Sequence, residues 1–342
     1  MTVDSIAADY QARTRRRLAF LLLSALLLAL GLLLSISLGA SEMSVAQTFA
    51  ALWSGQGQDH DIVWALRMPR AAIAAVVGFG LGLSGTVFQA VLRNPLASSS
   101  TLGVASASGF GAVCVIMFLG ADSSNLVVAS GAFTFALLSA CFIFVIAKVK
   151  GASSETLILT GVAQMFLFSA LTSLGQYFST VDQLVNIVFW SLGSLSKAGW
   201  TEIALASAMI LLPAPLLLWR AWDFNLLAMG DDTAKASGVH VERLRLWAIA
   251  ISSLATAGAI CFTGVIGFVG LVAPHITRMV IGNDHQYLLP ASGLVGALLV
   301  VMADIVGRSM LAPQIVPIGI VTSLLGVPFF FYLLMRRARD SW

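Results

Sequence analysis

Charge is scarce in this chain: 10% of its 342 residues are Asp, Glu, Lys or Arg, whereas a soluble domain carries about 25%. A soluble domain of any size must cover itself with polar side chains, so this deficit excludes a sizeable water-exposed domain and leaves lipid as the cover. Cysteine is scarce too. Cys114, Cys141 and Cys261 stand alone in apolar stretches with no Cys-x-x-Cys pair, which argues against a disulfide framework or a metal cluster and predicts buried, inert thiols. None of the four lysines is followed by Ser or Thr, so there is no Walker A motif and no ATP hydrolysis is expected of this chain alone. The H-E-x-x-H helix and the G-x-S-x-G elbow are also missing. No catalytic residue and no metal ligand is therefore assigned. His275, in GFVGLVAPHITR, is read as a structural histidine.

Apolar runs fill the space that charge leaves. After a polar N-terminal segment, residues 1–17, which ends in Arg13, Arg15, Arg16 and Arg17, comes an uncharged run over 18–38. It is longer than the 7–15 residues of a signal-peptide core and reads as an uncleaved first span. Nine more apolar stretches follow, at 69–92, 103–120, 126–147, 157–178, 201–219, 246–262, 267–281, 287–307 and 314–335. The fold expected is an all-α polytopic membrane protein of about ten transmembrane helices, because a span needs about 20 apolar residues. The single transmembrane domain takes up 1–342. The stretch 267–281 is the weakest of the spans. The stretch 184–195 is too short to cross and predicts a short helix at one membrane face.

An even number of spans puts both termini on one side. With that side cytoplasmic, fifteen of the nineteen cations lie inside, including Arg336, Arg337 and Arg339, as the positive-inside rule requires. The longest internal polar segment, 223–245, falls on the same side, where Gly230 and Gly238 predict two short helices with breaks. Four cations remain outside: Arg67, Arg70, Lys197 and Arg308. Two of them, in LRMPR (66–70), sit at the start of the second span, where cations oppose both the positive-inside bias and the helix dipole. Asp304 and Arg308, four residues apart, share a helix face. The spacing of Ser84-Gly85 from Pro95 equals that of Thr263-Gly264 from Pro274, a faint mark of repeats five spans apart and hence inverted. Abundant glycine in 78–85 and 264–270 predicts close helix packing. A secondary transporter would also fit ten spans, but it usually places ionisable residues at mid-membrane, and few are present.

Long stretches of the chain resemble the FecCD-type permeases of ABC importers: RMPRAAIAAVVGFGLGLSGTVFQAVLRNPLASSSTLGVASASGFGA, LLAMGDDTAKASGVHVERLR, GVIGFVGLVAPHITR, and ADIVGR with PIGIVTSLLGVPFFFYLL. The resemblance implies the fold of a type II ABC importer and a pathway along the interface of a homodimer or of paired permeases. It implies two ABC ATPase subunits inside, a substrate-binding protein outside, and no nucleic acid. No cofactor is implied on this chain, since ATP and Mg would sit on the ATPases. Ferric siderophores are the expected cargo, with haem or cobalamin as alternatives, across a bacterial or archaeal plasma (inner) membrane. Residue by residue, Arg67, Arg70 and Arg308 match arginines that dock the binding protein. Ser153 and Ser154 match the cytoplasmic gate. Met229, Gly230, Asp231, Asp232, Ala234 and Gly238 match the loop that couples to the ATPases.

Overall fold

In lipid every backbone N–H and C=O must be satisfied within the protein, and helices do this locally. The computed structural model describes residues 3–38, 43–311 and 314–337 and is helical almost throughout. Seven of its helical stretches are long and apolar enough to cross a membrane, and three shorter apolar helices (Val104–Leu119, Val269–Ile281 and Ile318–Phe331) bring the described total to ten.

The first span belongs to α1 (Val3–Ser37). Residues 3–17 are thus a helical extension of that span rather than a separate tail. The next segment, missed in the sequence, forms two short helices, α2 (Val45–Trp53) and α3 (Gln58–Ile62), and a π-turn at Val63–Arg67 leading into α4 (Met68–Leu92). The chain continues through α5 (Val104–Leu119), α6 (Asn125–Lys150), α7 (Ser154–Phe178) and the short α8 (Val181–Ser191). A reciprocal capping box between Thr180 and Gln183 starts α8, so a non-spanning helix stands where 184–195 predicts one. The sixth span is broken at Pro213 into α9 (Trp200–Leu211) and α10 (Ala214–Trp219), because proline lacks the N–H that would continue the ladder.

The polar loop holds α11 (Ala221–Ala228) and α12 (Asp231–Ala236), with breaks at Gly230 (φ 123°) and Gly238 (φ 87°) as read from the sequence. The last four spans are α13 (Val241–Thr263), α14 (Val269–Ile281), α15 (His285–Ser309) and α16 (Ile318–Arg337). Arg339 lies outside the described residues.

Helix α4 is the hub, packed on α9, α13, α14 and α15. Glycine makes this closeness possible. A Cβ on Gly85 would collide with the backbone carbonyl of Gly270 in α14, and one on Gly82 with the carbonyl of Ser292 in α15. Small residues let backbones touch in this way, and dispersion between them replaces the hydrophobic effect that lipid cannot supply. Helices α1, α6 and α7, by contrast, leave most of their span surface unburied. Cys261 is buried as expected, but Cys114 is only half-buried and Cys141 is exposed on α6. Its flank of the helix has no protein neighbour to cover it.

Two of the three shorter spans share a device. Each follows an irregular segment and begins after a left-handed residue, Gly103 (φ 75°) before α5 and Phe268 (φ 66°) before α14. They lie five spans apart and run in opposite directions. The Gly–Pro spacing noted above is not the carrier of this likeness. Gly85 is mid-helix and Gly264 ends one, while Pro95 is in a turn and Pro274 is inside α14.

Candidate functional site

Two polar clusters sit at opposite ends of the bundle. The far end, beyond Ser37, gathers three of the outer arginines. Arg67 is 5% exposed and donates to the carbonyls of Ile36 and Ser37, each at 2.8 Å. Arg308 donates to the Leu38 carbonyl (3.0 Å) and to the Ser35 hydroxyl (2.9 Å). Both therefore cap the C-terminal end of α1, where orphan carbonyls and the negative end of the dipole favour a cation. This accounts for the unfavourable placement noted in the sequence: Arg67 serves the end of a neighbouring helix, not the start of its own. It also corrects the expectation that Arg67 lies at the surface.

Asp304 holds the other two together. It pairs with Arg70 at 2.8 Å and with Arg308 at 3.0 Å, and its own side chain is 1% exposed. The i,i+4 relation of Asp304 and Arg308 is thus a real ion pair. Arg70 also donates to the Ser196 hydroxyl at 2.9 Å. Around it opens a cavity of about 380 Å³ whose polar lining includes Arg70, Asn125, Asn186, Ser196 and Lys197.

The near end holds the segments matched to the gate and the coupling loop. Ser153 is the N-cap of α7, its Oγ accepting from the Thr156 amide at 3.2 Å. Ser153 is exposed and Ser154 half-buried. In α12, Ala234 is fully buried and anchors the helix while Asp232 is exposed, as is Met229 at the end of α11. Gly238 closes α12 with a Schellman pair, Gly238 N–H to Lys235 O (3.0 Å) and Val239 N–H to Ala234 O (2.9 Å), which requires the left-handed backbone that glycine adopts without strain.

The residue that sequence reasoning missed here is Arg245. It is 3% exposed and donates to the Val91 carbonyl of α4 (2.9 Å), the Ala152 carbonyl before α7 (3.3 Å) and both carboxylate oxygens of Asp231 (2.8 and 2.9 Å). Arg93 approaches the same carboxylate at 3.8 Å. Alongside, Arg17 pairs with Asp284 at 2.8 Å, and Asn225 links Asp284 to His285, tying α1, α11 and α15 together.

Residues 27–336 match the FecCD transport family. The chain belongs to the FecCD transport family. It is 37% identical to the hemin transport system permease protein HmuU of Yersinia pestis, over 96% of this chain and 97% of that protein. It is 37% identical to the molybdate import system permease protein MolB of Haemophilus influenzae, over 92% and 95%. Among solved structures, one described as an inward-facing conformation of a putative metal-chelate type ABC transporter superposes with a TM-score of 0.82 and 34% identity, covering 92% of this chain and 98% of that one. This FecCD protein is accordingly a membrane-spanning permease subunit of a type II ABC importer.

Proposed function

We propose that this FecCD permease carries ferric chelates, siderophores first and haem as the alternative, through the interface of a homodimer by alternating access. Two ATPases would act on the near face and a binding protein on the far face, so the near face and both termini would be cytoplasmic. The excess of cations on that side supports the orientation.

The observation that favours a bulky chelate over a small oxyanion is the charge of α7 and α8. No Lys or Arg occurs from Gly151 to Ser196, and the charged residues there are Glu155 and Asp182. Helix α7 turns Leu159, Phe166, Leu167 and Leu174 outward and begins at the gate serines, Ser153 and Ser154, which fits a helix facing a second copy across the pathway. A wall with two carboxylates and no cation repels an oxyanion such as molybdate. A large chelate needs no counter-charge from it.

The far-face arginines would dock the binding protein electrostatically. Arg70 and Arg308 share Asp304, and Arg67 lies in the field of Asp59, so three guanidinium groups stand against two carboxylates, and several such charges steer association even when each pair is weak. With Arg67 buried, Arg70 and Arg308 are the two that stand nearer the surface. The test is ATP-driven uptake into proteoliposomes holding permease, ATPase and binding protein. Ferrioxamine or haemin should accumulate and molybdate should not. Selective accumulation of molybdate would overturn the cargo assignment.

The coupling loop carries its own prediction. Gly238→Val forces a β-branched residue into φ 87°, a costly backbone for it, and so should re-aim the end of α12. We expect uptake to fall at least tenfold while the amount of inserted, monodisperse permease stays within about twofold, because nothing lies within 4 Å of a Cβ at this position. Normal uptake would remove the loop from the coupling path.

A further inference from the structure

The near face contains a buried cation that connects three elements otherwise separate in sequence, and the function proposed above does not use it. We propose that Arg245 is the positioning residue that transmits movement of the ATPase-facing helix α12 to the start of α7. The inference rests on the transport reading above.

The geometry is that of a rigid fork. A guanidinium is planar, and its five N–H donors cannot be re-aimed independently. Four are used, in three directions. One fixes the last turn of α4 through Val91, one holds Ala152, and two grip Asp231 at both oxygens. Asp231 is the first residue of α12, and Ala152 immediately precedes the Ser153 cap of α7. Displacement of α12 therefore carries Asp231 with it. The fork must then either release the carboxylate or turn and abandon the Ala152 carbonyl. Releasing it would leave a buried charge unpaired, which is strongly unfavourable. Turning it frees the backbone just ahead of α7. Lys in this place could follow Asp231 as a point charge without moving Ala152, because it has no second arm.

The packing around Arg245 favours the second course. Ala152, Leu157, Leu227, Ala234, Val241 and Leu244 are all buried in one apolar cluster, so little water can enter to solvate a released guanidinium. Arg93 stands on the exposed side of Asp231 at 3.8 Å, placed to hold the carboxylate from outside while Arg245 holds it from within.

The experiment uses the complete transporter in nanodiscs, with the three native cysteines replaced and spin-label pairs at 16 and 233, reporting on α12, and at 16 and 155, reporting on α7. Distances are measured without nucleotide and after ATP–vanadate trapping. In the otherwise unchanged permease both pairs should shift. In Arg245→Lys the α12 pair should still shift while the α7 pair stays at its resting distance, and haemin taken up per ATP hydrolysed should fall about tenfold. Asp231→Asn breaks the same link at its half-exposed end and should give the same split if Arg245→Lys folds poorly. Retention of the α7 shift in either variant would overturn the proposal. So would parallel loss of both shifts with thermal stability, the mark of a merely structural residue. If neither pair responds in the unchanged permease, the transport reading itself fails.

Discussion

Replacing Asp304 with alanine is expected to destabilise the permease by about 3–5 kcal/mol, the range found when one partner of a buried ion pair is removed and the other charge stays behind. Here two charges stay behind. The Arg70 and Arg308 side chains are each 13% exposed and share this carboxylate, so its loss leaves two near-buried guanidinium groups repelling each other. Their remaining partners, the Ser196 hydroxyl for Arg70 and the Ser35 and Leu38 oxygens for Arg308, are neutral and cannot replace it. The measurement is denaturant or thermal unfolding of the purified permease in detergent. Because the group is buried, raising salt to 1 M should alter the loss little, whereas an exposed pair would be screened. A second change, Arg308→Met in the Asp304→Ala background, should recover part of the stability by removing one stranded charge. A loss under about 1 kcal/mol would mean that water reaches this cluster and that it behaves like an ordinary surface pair.

The second large effect comes from one methyl group. In the middle of an exposed helix, Gly→Ala is favourable by about 0.8–1.0 kcal/mol through helix propensity. At Gly109 of α5 nothing lies within 4 Å of the added Cβ, so Gly109→Ala should leave stability unchanged or raise it. At Gly85 the same methyl meets the backbone of Gly270. Backbone has no rotamer to change, so α4 and α14 must separate along the whole contact, and the packing of α4 on its other neighbours goes with it. We expect Gly85→Ala to yield little monodisperse permease, and Gly109→Ala to yield as much as the unchanged chain, by size-exclusion chromatography. Equal yields would show that the two helices can part without consequence.

These two sites differ in how visible they are to a reader of the sequence. The spans themselves were legible because each long apolar run has a helical solution in lipid and no other. The breaks at Gly230 and Gly238 were legible because glycine adopts such positive-φ backbone without strain, and the pairing of Asp304 with Arg308 because four residues is about one helical turn. Arg245 was not. Its partners lie 14, 93 and 154 residues away, and in the sequence it is one more cation on the cytoplasmic side. Arg67 was legible as an anomaly but not as its resolution, since the helix end it caps belongs to another span. The helices at 45–53 and 58–62 escaped because such short pieces have no long apolar run to announce them.

The shortness of α14 bears on how the chain is made. Thirteen residues rise about 20 Å at 1.5 Å each, against a hydrocarbon layer about 30 Å thick, and the helix carries Arg278 besides. Alone it is a poor passenger for the insertion machinery. Its irregular lead-in packs against segments made earlier and later: a Cβ on Gly264 would meet the Trp190 carbonyl, and one on Gly319 the Val265 carbonyl. We therefore expect α14 to insert stably only once α15, against which it packs, has emerged. A stall placed so that α14 has left the ribosome while α15 is still inside should leave the eighth span unthreaded.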